Sequence, residues 1–153
     1  GETERENRYR GYLDALSAEN ITVYKGYVSN VTLSSEGGYL GAKKLLEQNC
    51  DATAYFCPND MTAIGAMRAI QEAGYSIPGD ISIISIDDIE TAQYLNPMLT
   101  TVHIPIEEMG QMAAKTLIDR IEGGHSLPMK INLPFYIANR ESCGPAHPLR
   151  QRE

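Results

Sequence analysis

The sequence predicts an α/β fold, a parallel sheet flanked by helices, and three observations carry that prediction. The compact apolar runs Ala54-Tyr55-Phe56-Cys57 and Ile81-Ser82-Ile83-Ile84-Ser85-Ile86 have the length and composition of buried strands. Between them Met61, Ile64, Met67 and Ile70 recur every three residues, the repeat of a helix face. Parallel neighbours need a crossover of about this length, so strand, helix, strand in the sequence is a parallel pair.

The remaining elements follow from spacing and punctuation. Residues 4–19 place Tyr9, Tyr12, Leu13 and Leu16 at three- and four-residue intervals among charges, an amphipathic helix that Asn20 ends. Ile21-Thr22-Val23-Tyr24 is β-branched and aromatic and reads as a short strand. Ser34-Ser35-Glu36 opens a second helix that runs to about Gln48, with Leu40, Leu45 and Leu46 turned inward. Gly37, Gly38 and Gly41 lack the order of a dinucleotide fingerprint and point to close helix packing. The run at 54–57 stops at Pro58-Asn59-Asp60, and the helix that follows reaches Gly74. Pro78-Gly79-Asp80 is turn chemistry, and the second buried strand ends on Asp87-Asp88. Thr100-Thr101-Val102-His103 forms another strand. Pro105 suits the first turn of a helix whose Ile106, Met109, Ala113, Leu117 and Ile121 share one face as far as Gly123-Gly124. Residues 130–133 and 135–138, separated by Pro134, read as terminal strands, and 145–153 as a loose tail. The six methionines fall at helical core spacing.

Composition narrows the function. The chain has 153 residues, 42% of them hydrophobic, which is the core of one domain or of a piece of a larger one. Twenty acidic residues against 13 basic ones give a net charge of −7, with no cationic cluster to track phosphates, so direct nucleic-acid binding is not expected. No apolar run is long enough to span a membrane, and the charged start Gly1-Glu2-Thr3-Glu4-Arg5-Glu6 is not a signal peptide. Cys50, Cys57 and Cys143 are odd in number and form no Cys-x-x-Cys pair, which suggests neither a disulfide framework nor zinc and fits a reducing cytoplasm. His103, His125 and His147 lack ligand spacing and no Gly-x-Ser-x-Gly elbow occurs, so neither a metal, a cofactor nor an enzyme activity is expected.

In open parallel sheets ligands bind beyond the carboxyl ends of the strands. Asn59-Asp60 and Asp87-Asp88 both fall there. An amide that donates and accepts, beside a carboxylate that accepts twice, suits the paired hydroxyls of a sugar. The plainer roles are a helix cap for Asn59 and loop or turn carboxylates for Asp80, Asp87 and Asp88. Adjacent aspartates leaving a strand point to opposite faces, so Asp87 and Asp88 do not converge on one ion, and the lysine a phosphoaspartate site needs is missing from a third strand end. Arg5 and Arg10 belong to a solvated face. Arg8 differs if its helix begins at the same crevice, where a guanidinium can span two sugar oxygens.

Four segments then carry a family resemblance: Arg8-Tyr9-Arg10-Gly11-Tyr12; residues 52–66 around Cys57-Pro58-Asn59-Asp60-Met61-Thr62-Ala63; residues 77–88 from Ile77-Pro78-Gly79-Asp80 to Asp87-Asp88; and Pro97-Met98-Leu99-Thr100-Thr101-Val102. In order and spacing, with Leu133-Pro134 and Asn139-Arg140-Glu141-Ser142-Cys143 as a closing strand, they resemble the lactose/galactose repressor family over nearly the whole chain. The resemblance implies the C-terminal half of an effector-binding region, a periplasmic-binding-protein-like two-lobed fold present only in part. Residues 1–103 would be the C-terminal lobe without its first strand and helix, 104–132 a segment of the N-terminal lobe, 133–144 the closing strand and 145–153 the tail. Arg8, Asn59 and Asp87 would bind the effector, with Leu33 and Ile106 lining the pocket. Two departures are Ser85, where the family usually has glycine, and Leu33, near a position that often holds an aromatic ring. The ending Arg140-Glu141-Ser142-Cys143, with Asp88-Ile89 and Ala92-x-Tyr94, is most similar to the galactose or β-galactoside branch. The implied function is sugar sensing by a cytoplasmic, homodimeric repressor whose operator DNA is bound through a headpiece outside this chain. The alternative is the sugar-binding component of a transporter, which shares the two-lobed fold.

Overall fold

The computed structural model describes residues 6–48 and 51–146. Four strands form one sheet in the order β1 (Ala54–Phe56), β2 (Ser82–Asp87), β3 (Thr100–His103), β4 (Tyr136–Ala138). The first three are parallel and β4 is antiparallel to β3, with Phe56 opposite Ile84, Asp87 opposite His103 and His103 opposite Tyr136. The helices are α1 (Asn7–Ala18), α2 (Ser35–Glu47), α3 (Asp60–Glu72) and α4 (Ile106–Ile121). This is the predicted α/β arrangement, with α3 as the crossover between β1 and β2. Among the described residues, no helix is long and apolar enough to cross a membrane.

The core lies between α3 and the sheet. Ala63, Ile70, Ile83 and Leu99 are completely buried, and Tyr55, Cys57, Met67 and Ile81 surround them. Helix α2 lies on α3 so closely that a Cβ on Gly65 would overlap the Ser35 carbonyl, and one on Gly38 the Thr62 carbonyl. Close packing is therefore what the glycines near 37–41 serve. In an open helix Gly→Ala gains about 0.5–1 kcal/mol. Here overpacking against backbone, typically 1–3 kcal/mol, wins. Gly65→Ala is expected to lower the urea midpoint, and a rise would show that the helices part freely.

Four sequence expectations are corrected. Residues 21–24 are not a strand: they run unpaired into a short 3-10 turn, Lys25–Tyr27. Residues 130–133 are extended but without a ladder, and only Tyr136–Ala138 of the last run pairs. Leu40 points to solvent, while Leu45 and Leu46 pack against the core. Of the methionines, Met67 is core, whereas Met61, Met109, Met112 and Met129 are exposed. Of the expected tail, residues 145–153, those from 147 onward lie outside the described residues, as do Arg5 and Cys50. Helix α4 keeps its apolar face, Ile106, Met109, Leu117 and Ile121, exposed, and residues 104–135 form an excursion whose return leg places Met129, Ile131 and Phe135 along α4.

The chain after β4 closes the sheet from the other end. Ser142 is wholly buried, its Oγ donating to the Ile83 carbonyl (2.7 Å) and accepting from the Thr100 amide (2.8 Å), while its own carbonyl accepts from the Ile83 amide (2.8 Å).

Candidate functional site

Parallel register brings the carboxyl ends of β1, β2 and β3 to one edge, where Asn59 and Asp87 stand. Asn59 follows β1 as the N-cap of α3. Its Oδ1 accepts from the Thr62 amide (2.9 Å) and the Thr62 hydroxyl (2.5 Å), and its Nδ2 donors are unused among the described residues. The capping role is therefore present, and it leaves the donor half of the amide without a partner among the described residues. Asp60 is corrected: the residue read as a second edge group is fully buried. Its Oδ1 accepts from the hydroxyls of Ser85 (2.5 Å) and Thr101 (2.6 Å), and its Oδ2 from the Ile89 amide (2.8 Å). Ser85 thus serves this buried network, with φ outside the glycine region.

Helix α1 starts at the same edge. Glu6 caps it through the Tyr9 amide (2.9 Å) and pairs with Arg8 Nε (2.6 Å), whose Nη1 donates to the Pro58 carbonyl (2.8 Å), one residue from Asn59. Arg8 is fixed by two partners rather than spread over a solvated face. Its charge reaches Asp87: burial, then the charge of Asp60, raises the Asp87 carboxyl above the ordinary range, and Arg8 opposes that rise. Among the described residues the Asp87 carboxylate accepts no hydrogen bond.

A cleft of about 410 Å3 opens beside β1, lined by Arg8, Tyr12, Val31, Leu33 and Phe56 among others. Tyr9, Tyr12 and Phe56 stack along it with ring centroids 6.2 Å apart. Leu33 is exposed into this cleft. Asn59, Asp87 and Ile106 are not among the cleft-lining residues: Asn59 and Asp87 stand at the strand ends, tied to Arg8 through the Pro58 carbonyl and through charge, whereas Ile106 is exposed at the start of α4. Cys57 also borders the cleft, but burial, with Asp60 beside it, pushes its thiol up to about 12, so it is no nucleophile near neutrality. Cys57 and Cys143 are free. Among the described residues no group of His, Cys, Asp or Glu is placed to hold a metal ion.

Sequence reasoning missed the partners of Asp88. Its Oδ1 accepts from Arg140 Nη2 (2.6 Å), and its Oδ2 lies 2.9 Å from His103 Nδ1, whose ring stacks on Tyr136 at 4.6 Å. Burial acts to raise the Asp88 carboxyl, yet the hydrogen bonds and charges of Arg140 and His103 outweigh it and hold it below the ordinary range. A depressed folded value contributes stability that is complete above the unfolded value and is lost as pH falls through the folded one. The urea-midpoint gap between the parent and Arg140→Gln is expected to be widest near neutrality and to close below about pH 4; a gap independent of pH would remove the pair as its source.

The geometry agrees with comparison to known proteins. Residues 1–143 match the family model described as a periplasmic binding protein-like domain. The ribose operon repressor of Haemophilus influenzae is 44% identical over 117 residues, covering 76% of this chain and 35% of that protein. The HTH-type transcriptional repressor PurR of Photorhabdus laumondii is 42% identical over 114 residues, 74% of this chain and 33% of that one. The chain thus spans about a third of the length of these curated relatives. A LacI family transcriptional regulator from Enterococcus faecium, solved with bound ribose, superposes with a TM-score of 0.83 at 36% identity, covering 92% of this chain and 52% of that one. With the family model matched over nearly all the chain, and with an α/β sheet that superposes on such a regulator, the chain belongs to the periplasmic binding protein-like domain family and corresponds to part of the effector-binding domain of LacI-family transcriptional regulators.

Proposed function

We propose that this chain is the effector-sensing part of a cytoplasmic repressor of sugar-utilisation genes, and that Arg8, Asn59 and Asp87 bind the sugar. The observation that carries the reading is their convergence at the carboxyl edge. There the fixed Arg8 guanidinium lines an apolar cleft and bonds the carbonyl next to Asn59, whose amide donors are unused among the described residues, and its charge acts on an Asp87 carboxylate that accepts no hydrogen bond among those residues. Charged acceptors and donors facing paired hydroxyls, with Leu33 and the Tyr12–Phe56 stack as apolar walls, are what a sugar ring needs. The sugar is galactose or a β-galactoside, on the strength of residues 88–94 and 140–143. Ribose is the second reading, favoured by the 44% identical ribose operon repressor and the ribose-bound regulator.

In this proposal residues 1–103 and 133–144 belong to one lobe, 104–132 cross to the other, and 145–153 are a tail. The natural protein is a homodimer that binds operator DNA through a headpiece and releases its sugar unchanged. A sugar shifts operator affinity only by its difference in affinity for the two lobe arrangements. The test is operator binding by the full natural protein, followed by fluorescence anisotropy with and without D-galactose, methyl β-D-galactopyranoside and D-ribose. One of them is expected to change operator affinity at least fivefold. Sugar binding without any operator binding would favour the transporter component, and indifference to all three sugars would overturn the sugar reading.

A further inference from the structure

The turn that carries Asp87 is strained, and the atoms that hold it belong to its neighbour. Asp87 and Asp88 have φ of 127° and 60°, two consecutive non-glycine residues in the left-handed half of the map. Each such residue costs about 1–3 kcal/mol and persists only where its surroundings fix it. The backbone of Asp87 ends the β2–β3 ladder, its carbonyl accepting from the Ile104 amide at 3.5 Å, but its side chain supplies none of that fixing, since among the described residues its carboxylate has no hydrogen-bond partner. Asp88 supplies it with both carboxylate oxygens, one on Arg140 and one against His103, and the Ile89 amide beyond is held by buried Asp60.

The two clamping residues come from the root of the 104–135 excursion. His103 is the last residue of β3, immediately before the chain leaves the sheet, and it pairs in register with Tyr136, where the chain returns. Arg140 follows β4 and is itself anchored, its Nη1 donating to the Leu99 carbonyl (2.8 Å) and its amide to Thr100 Oγ1 (2.9 Å). Three passages of chain therefore meet at one carboxylate, next in sequence to the acceptor of the proposed site.

We propose that Asp88 is a positioning residue that acts through Asp87: clamped by Arg140 and His103, it holds the neighbouring carboxylate toward the sugar and ties its position to the strands that carry the excursion. The proposal rests on the sugar-binding role of Asp87 given above. Without the clamp the turn relaxes toward negative φ and Asp87 swings from the edge.

The test is a double-mutant cycle in the full natural protein, titrated calorimetrically with D-galactose, methyl β-D-galactopyranoside and D-ribose, with thermal melting to confirm folding. Asp88→Asn is expected to weaken the sugar that binds by about tenfold in the parent and by less than twofold in an Asp87→Asn background, because its effect passes through Asp87. Arg140→Lys, which keeps the charge, replaces Asp88→Asn in the cycle if the latter fails to fold. An equal loss in both backgrounds, or no loss in the parent, overturns the positioning role while leaving Asp87 in the site. Parental affinity in Asp87→Asn, or no binding of any of the three sugars by the parent, overturns the site reading and this role with it.

Discussion

Asp60→Ala is expected to lower stability by about 3 kcal/mol or more, among the largest effects of any single substitution in the sheet. The side chain is fully buried and takes hydrogen bonds from two hydroxyls and a backbone amide. Truncation leaves Ser85, Thr101 and the Ile89 amide without their acceptor, and each buried polar group so orphaned costs about 1–3 kcal/mol. Asp60→Asn should be milder, since the amide keeps one acceptor but must turn two donors toward groups that themselves donate. Urea denaturation of both variants is the measurement. An alanine variant within about 1 kcal/mol of the parent would mean that water or a repacked side chain satisfies the three donors.

Asp87→Asn is expected to move affinity and stability in different directions. Sugar affinity falls by roughly 10- to 150-fold, the equivalent of one charged hydrogen bond of about 1.5–3 kcal/mol. Stability holds or rises. Asparagine tolerates positive φ as well as aspartate does, and it removes a charge that burial and Asp60 disfavour. The sign with pH follows from the raised carboxyl. Above that raised value the parent bears the cost of the ionised group and the variant does not; as pH falls through it the parent protonates and the advantage fades. Calorimetry with the sugar, and melting curves at two pH values, separate the two quantities. A variant that lost stability and affinity together would place Asp87 among the structural carboxylates instead.

What was legible in the sequence is what local pattern decides. The spacing of Met61 to Ile70, the apolar runs at β1 and β2, and the placement of Asn59 and Asp87 at strand ends are statements about a few neighbouring residues, and the structure has them where they were read. Partnership was not legible. Residues 21–24 have strand composition, but β-propensity is mostly the worth of packing against a neighbouring strand, and among the described residues none pairs with them. Residues 130–133 failed for the same reason, lying along α4 without a backbone ladder. Asn59 and Asp60 are adjacent polar residues with nothing local to say that one faces the edge and the other the core; the answer lies in Ser85 and Thr101, 25 and 41 residues away. The clamp on Asp88 needed Arg140, 52 residues on. That arginine stands inside the Asn139-Arg140-Glu141-Ser142-Cys143 ending, so the signal was present as a motif whose contacts were unknown.

The closing segment behind β4 has a consequence for how this polypeptide can be cut. Ser142 locks onto Ile83 and Thr100, and Arg140 onto Leu99 and Asp88, with none of these bonds reaching into residues 104–135. The far side of the excursion is therefore a covalent formality as far as the sheet is concerned. A protease that severed the turn near Gly123 and Gly124 would leave residues from β4 onward in place as a bound peptide, and two separately made pieces divided there have what they need to find each other and rebuild the edge that carries Asp87.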